Sequence, residues 1–137
     1  LLQADEVLIT AVPDLANLRN AKNIVDLLKT SRKNDRKPHL VLNMTGVPKR
    51  QEISLKEFEQ ALDIKAINVI DYDSESFSQA ANNGQMIEEM NPKAKAAEKF
   101  REIAMAMTHR KDHKAEKKPQ SALAPLAPLL EKLKLKR

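Results

Sequence analysis

The sequence contains no cysteine and only two glycines, Gly46 and Gly84. The absence of cysteine excludes disulfides, a thiol nucleophile and a zinc site built from thiolates, and it fits a cytosolic protein. A phosphate-binding loop needs closely spaced glycines, because backbone N–H groups must approach the anion. Two distant glycines cannot form such a loop, so this chain lacks one.

Aromatic residues make up 3% of the chain, and no run of about 18 apolar residues occurs. We therefore expect an aliphatic core, no base-stacking platform for nucleic acids and no membrane-spanning helix. With 137 residues, the chain has enough length for one domain with a real core.

The net charge of +5 is unevenly distributed. Residues 110–137 contain nine Lys or Arg and three Asp or Glu. Residues 1–109 contain 15 Lys or Arg and 16 Asp or Glu. The sequence therefore divides into a nearly neutral globular part and a basic tail. Any attraction to phosphates or anionic lipid is predicted to reside in the tail.

Three apolar runs, at residues 6–12, 39–43 and 67–70, predict buried strands. Helical patterns follow them, and their expected N-terminal residues are Asp14, Ser54 with Glu57 three residues later, Ser74, and Asn91-Pro92. The order β-α-β-α-β-α-α predicts an α/β fold with a parallel sheet flanked by helices.

A parallel sheet of three strands would leave an edge open unless further strands pair with it. The chain also starts at Leu1 without a methionine. Both features lead us to expect a fragment of a longer protein.

Several segments within residues 4–108 resemble one protein family. In chain order they are ADEVLIT at 4–10, Pro13-Asp14, LRNA at 18–21, LVLNM at 40–44, EISLKEF at 52–58, VIDYD at 69–73 and ANNGQMI at 81–87. They are similar to matching segments of the bacterial CpaE/TadZ pilus-assembly proteins, which belong to the MinD/ParA group of deviant P-loop ATPases. The resemblance implies that residues 1–109 are the C-terminal part of a SIMIBI-type P-loop NTPase domain.

The resemblance also implies part of an adenine pocket, formed by Asn43, Ile70, Asp71, Tyr72 and Asp73. In the family an asparagine at the position of Asn43 recognises adenine, and ATP with Mg²⁺ is bound by the whole protein. Two positions depart from the family pattern, since Met44 replaces an arginine and Asp71 replaces a proline. Without a P-loop, this chain is expected to bind no cofactor and to be inactive alone.

Other interpretations of these residues remain open at this stage. Asn43 could be a polar strand end that the next loop satisfies. Asp71 and Asp73 could form an acid–base or metal pair, but without a histidine partner loop and capping roles are favoured. His39, His109 and His113 show no triad or metal-ligand spacing, which favours structural or solvated roles.

The basic tail ends in a short amphipathic pattern. Its leucines at helical spacing and the surrounding cations are Leu126, Leu129, Leu130, Leu133, Lys132, Lys134, Lys136 and Arg137. MinD proteins have a C-terminal membrane-targeting helix of similar character, so peripheral membrane contact is one hypothesis. A disordered tail and a helix that docks on a partner protein are the alternatives.

The resemblance implies a homodimeric, ATPase-like protein that helps to localise the Tad/Flp pilus secretion machinery. Its location would be cytoplasmic, or peripheral at the inner membrane or cell pole, with pilus secretion proteins as partners. The second hypothesis is a non-catalytic interaction or membrane-anchoring module with a degenerate nucleotide-binding fold. DNA binding ranks third, because the globular part is nearly neutral.

Overall fold

The computed structural model describes residues 4–33 and 36–109. The elements, in chain order, are β1 (Leu8–Ala11), α1 (Leu15–Ser31), β2 (His39–Thr45), α2 (Leu55–Leu62), β3 (Ala66–Asp71), α3 (Ser74–Asn83), α4 (Ile87–Met90) and α5 (Lys95–Thr108). The predicted α/β class is confirmed. The predicted order lacked α4, because a helix of four residues is too short to show helical periodicity.

The sheet has three parallel strands in the order β1-β2-β3. We call the side where the strands begin the amino edge and the side where they end the carboxyl edge. The β1–β2 register is regular from Leu8–His39 to Ala11–Leu42, whereas the β2–β3 register shifts between Leu42 and Thr45. Among the described strands, β1 and β3 are the outer ones, and each pairs with β2 alone.

Helices α1 and α2 cover one face of the sheet and form the main core with it. Phe58 and Leu40 are fully buried there, and α1 contributes Ala21, Val25 and Leu28 at helical spacing. As predicted, the core is mainly aliphatic, and Phe58 is the aromatic residue in this cluster.

Helix α5 packs against β3 through a buried polar contact. The Asn68 side chain is 6% exposed, and its Nδ2 donates to Glu102 Oε2 at 2.6 Å. Its Oδ1 accepts from the backbone N–H of Val69 at 2.8 Å. A second, smaller apolar cluster joins α3, α4 and α5 through Ala80, Ile87, Ala96 and Ala97. Asn68 therefore fixes where α5 lies on the strand.

Two of the four predicted helix starts agree with the structure, and two differ from it. Asp14 caps α1 and Ser54 forms a capping box with Glu57, as predicted. Helix α3 is capped by Asp73 rather than Ser74, because Asp73 Oδ1 accepts from Ser76 N at 3.0 Å. Helix α5 begins at Lys95, because the predicted start at Asn91-Pro92 forms a turn, closed by Ala94 N to Asn91 O.

None of the helices in residues 4–33 and 36–109 has both the length and the apolar character that crossing a bilayer requires. The predicted amphipathic segment and its leucines and cations, from Leu126 to Arg137, lie outside the described residues.

Candidate functional site

A small pocket of about 200 Å³ lies at the carboxyl edge, between the ends of β2 and β3 and the start of α3. Its lining residues are Asn43, Met44, Asp71, Tyr72, Asp73, Ser74 and Phe77. The structure thus brings together four of the five residues expected at an adenine pocket. The fifth, Ile70, is 4% exposed and belongs to the buried part of β3 rather than to the lining. In open parallel sheets, ligands bind outside the carboxyl ends of the strands.

The ends of β2 and β3 are tied together by hydrogen bonds at this pocket. Thr45 Oγ1 donates to Asp71 Oδ1 at 2.9 Å, and Tyr72 N donates to Thr45 O at 2.8 Å. The Asp71 carboxylate therefore has a structural partner in Thr45. This bond restrains the chain where it leaves β3.

Asn43 presents an amide to the pocket. Its Oδ1 accepts from the backbone N–H of Met44 at 2.9 Å, which orients the side chain. Within the described residues, its Nδ2 makes no hydrogen bond, so two N–H donors and one Oδ1 lone pair remain available. Adenine offers a ring nitrogen acceptor next to an amino donor, which a carboxamide can match.

The walls of the pocket are apolar and partly exposed. Met44 and Tyr72 are 40% and 41% exposed, and Phe77 lies against Phe100 in an edge-to-face contact with ring centroids 6.2 Å apart. Aromatic and thioether groups pack well against flat rings. The pocket therefore combines apolar walls with the Asn43 amide.

The loop after β2 is fixed by one carboxylate. Glu52 accepts from the backbone N–H groups of Gly46, at 3.0 and 3.1 Å, and Val47, at 3.2 Å, and Arg50 Nη2 donates to it at 2.7 Å. Hydrogen bonds lower the pKa of the Glu52 carboxyl: the largest effect comes from the Gly46 N–H, and the second from the Arg50 side chain. Arg50 also donates to the Met44 carbonyl, which places a cation beside the end of β2.

Sequence patterns did not reveal this Glu52–Arg50 arrangement, because a loop without periodicity gives no sign of which side chains meet. The signals that were present are two opposite charges two residues apart and Gly46, whose φ of 77° suits a tight turn. Phe77 was likewise missed as a lining residue. Its position in the first turns of the helix that follows β3 could have indicated it.

The acidic and histidine residues that the sequence singled out have structural partners. The hydrogen bond from Ser76 lowers the pKa of the Asp73 carboxyl, which caps α3. His39 and His109 lie at the opposite edge, where Nε2 of each contacts Glu6, at 3.1 and 2.8 Å. Across residues 4–33 and 36–109, no group of three or more His, Asp or Glu side chains could hold a metal ion.

The fold is that of the ParA and MinD ATPases. The structure superposes on a ParA family ATPase from Chlorobium tepidum TLS with a TM-score of 0.63 and 22% identity, over 77% of this chain and 42% of that one. For MinD of Aquifex aeolicus, and for the MinC:MinD cell division protein complex of the same organism, the TM-scores are 0.64 and 0.65 with 19% identity. Each match covers 80% of this chain, and 46% and 45% of those chains respectively. The chain thus spans less than half of the length of these structures.

The sequence also shows which family the chain belongs to. Residues 2–135 match the family of 4Fe-4S iron sulfur cluster binding proteins, NifH/frxC family, and the chain belongs to this NifH/MinD/ParA type of P-loop ATPases. No curated protein matches the chain.

The residues of this chain do not fit an iron–sulfur cluster. Such clusters are held by cysteine thiolates, and the chain has no cysteine. For a nucleotide, the carboxyl-edge pocket offers the Asn43 amide and apolar walls, whereas a glycine-rich loop for the phosphates is absent from the sequence.

Proposed function

We propose that residues 1–109 are the C-terminal part of a MinD/ParA-class ATPase domain and that the carboxyl-edge pocket faces the adenine of ATP. The observation that carries the proposal is the pocket itself, where Asn43 and Tyr72 meet from the ends of adjacent strands. Family membership supports a nucleotide with Mg²⁺ as the ligand of the whole protein.

In this proposal each residue of the pocket has a distinct role. Asn43 Nδ2 donates to a ring nitrogen of adenine, while Met44 and Tyr72 cover the faces of the ring. The Thr45–Asp71 bond and the Glu52–Arg50 arrangement hold the two strand ends and the Met44 turn in place. The nucleotide supplies a phosphoryl group for hydrolysis, and residues outside this chain would bind the phosphates and Mg²⁺.

At a finer level we propose a CpaE/TadZ-type role in Tad/Flp pilus assembly, as a homodimer at the cell pole. The segments at 52–58 and 81–87 support this assignment. The MinC:MinD complex has the same fold and joins MinD to another protein, which supports a partner-binding role for residues of this domain. The basic tail, residues 110–137, would then contact the partner or the membrane.

The native protein in source cells provides the test. We expect an antibody against this segment to detect a protein much larger than 15.5 kDa, and the purified protein to bind a fluorescent ATP analogue in preference to the GTP analogue. A native protein of 15.5 kDa that binds neither analogue would contradict the ATPase assignment and favour an interaction module. Normal Tad/Flp pili in cells that lack the protein would contradict the finer assignment.

A further inference from the structure

The backbone at the end of β2 is irregular where it meets the carboxyl-edge pocket. Between its pairs at Leu42 and Thr45, β2 has two residues where β3 has one. Met44, the second of the two, has a φ of 57°, in the left-handed region that residues with a Cβ atom rarely adopt. Such a conformation persists where neighbouring groups hold it, so the contacts of Met44 show what keeps the pocket in shape.

Side chains bind both backbone polar groups of Met44. Its N–H donates to Asn43 Oδ1 at 2.9 Å, and its carbonyl accepts from Arg50 Nη2. The next residue is fixed to β3, because Thr45 O accepts from Tyr72 N at 2.8 Å. If Met44 relaxed to an extended backbone, Thr45 would stay tied to β3 and the peptide between Asn43 and Met44 would have to turn.

Arg50 is itself held in position for this contact. Its Nε and Nη2 donate to Glu52 Oε1 at 3.2 and 2.7 Å, and its backbone N–H donates to Val47 O at 3.2 Å. A guanidinium bound in this way loses little further freedom when it also binds the Met44 carbonyl. Arg50 is not among the residues that line the described pocket, so its effect on the pocket passes through Met44.

The Met44 N–H decides which end of the Asn43 amide can face a base. While it donates to Oδ1, the Nδ2 end is left for the ring. Adenine has an acceptor at N1 beside an amino donor, whereas guanine has a protonated N1 beside a carbonyl acceptor, so the two bases need opposite orientations of an amide. An amide held in one orientation discriminates between them, and an amide free to turn by 180° accepts either.

We propose that Arg50 is a positioning residue that sets the base preference of the carboxyl-edge pocket. By holding Met44 in the left-handed conformation, Arg50 keeps the Met44 N–H on Asn43 Oδ1 and the Nδ2 end toward N1 of adenine. This inference rests on the proposed function, because it assigns Arg50 to the same nucleotide pocket. Loss of Arg50 therefore weakens the binding of adenine and admits guanine.

The test is an NMR titration of the ¹⁵N-labelled 137-residue chain with adenosine and, separately, with guanosine. We expect Arg50→Ala to bind adenosine at least about 5-fold more weakly than the unmodified chain. Guanosine should then shift the amide signals of Asn43 and Tyr72, which it leaves unchanged in the unmodified chain. Lys49→Ala removes the exposed neighbouring cation of the same turn and should alter neither result.

Met44→Gly provides the matched rescue, because glycine adopts the left-handed region without support. In this background Arg50→Ala should no longer admit guanosine, although Met44→Gly itself loses the contact of the thioether with the ring. If Arg50→Ala unfolds the chain, Arg50→Gln replaces it in both backgrounds, with the same loss and the same rescue expected.

The backbone of Met44 can be followed without nucleotide through its ¹³Cα and ¹³Cβ chemical shifts, which depend on φ and ψ. Unchanged Met44 shifts in Arg50→Ala would overturn the proposal whether or not adenosine binds. So would weaker adenosine binding with guanosine still rejected, since Arg50 would then only support the loop. Changed Met44 shifts, together with no adenosine binding by the unmodified chain, would instead contradict the nucleotide site and leave Arg50 as a positioning residue of the loop alone.

Discussion

Replacing Phe58 by alanine is expected to lower the free energy of unfolding by about 3–5 kcal/mol. Phe58 is 0% exposed and lies in the main core between α2 and the sheet, where Leu40 and Leu42 are also buried. The substitution removes a ring from the centre of this cluster and leaves a cavity. Because domains of this kind are stable by about 5–15 kcal/mol, such a loss would remove a substantial part of the stability.

The measurement is urea denaturation followed by far-UV circular dichroism. Phe100→Ala serves as a matched control, because the same side chain is deleted at a position that is 44% exposed on α5. We expect the control to cost less than half as much as Phe58→Ala. Equal losses at the two positions would mean that the α1–α2 side of the sheet is not the main core.

Replacing Asn68 by aspartate is expected to cost about 3 kcal/mol at neutral pH. The change puts a carboxylate in a site that is 6% exposed and 2.6 Å from Glu102 Oε2, where the amide of Asn68 now donates. Two like charges then meet at the contact that fixes α5 on β3. We expect a lower midpoint of urea denaturation and faster amide hydrogen exchange along α5.

A second substitution separates repulsion from other effects of the change. Adding Glu102→Gln to Asn68→Asp restores a donor opposite the new carboxylate, so the double variant should recover at least half of the lost free energy. Glu102→Gln alone should cost much less than Asn68→Asp. Additive losses in the double variant would show that the two side chains do not interact and that α5 is held by its apolar contacts.

The local elements of the fold could be predicted from the sequence because their signals are short-range. Apolar runs marked the three strands, and Asp14 and the Ser54–Glu57 pair marked helix starts. The predictions failed where two residues compete for one role. Asp73 and Ser74 are both good capping residues, and the geometry at the end of β3 decided for Asp73.

The candidate site was predictable only where strand ends define it. Asn43 and Asp71 to Asp73 follow from the carboxyl-edge rule together with the family resemblance. The Glu52–Arg50 arrangement was not predictable, because it depends on side chains and backbone groups that the tertiary fold brings together.

The most direct test of the central proposal is an NMR titration of the ¹⁵N-labelled chain with adenosine, with guanosine as the comparison. Chemical shifts detect weak contact of the base with the pocket, even though a chain without a phosphate-binding loop is not expected to retain a cofactor. We predict that adenosine shifts the amide signals of Asn43, Met44, Tyr72 and Phe77, that guanosine does not, and that Asn43→Leu abolishes the shifts while the variant stays folded. ATP should shift the same amides, because its adenine is the part expected to contact this chain, which has no loop for the phosphates. If adenosine left the carboxyl edge unchanged, or if guanosine shifted the same amides equally, the pocket would not be an adenine site.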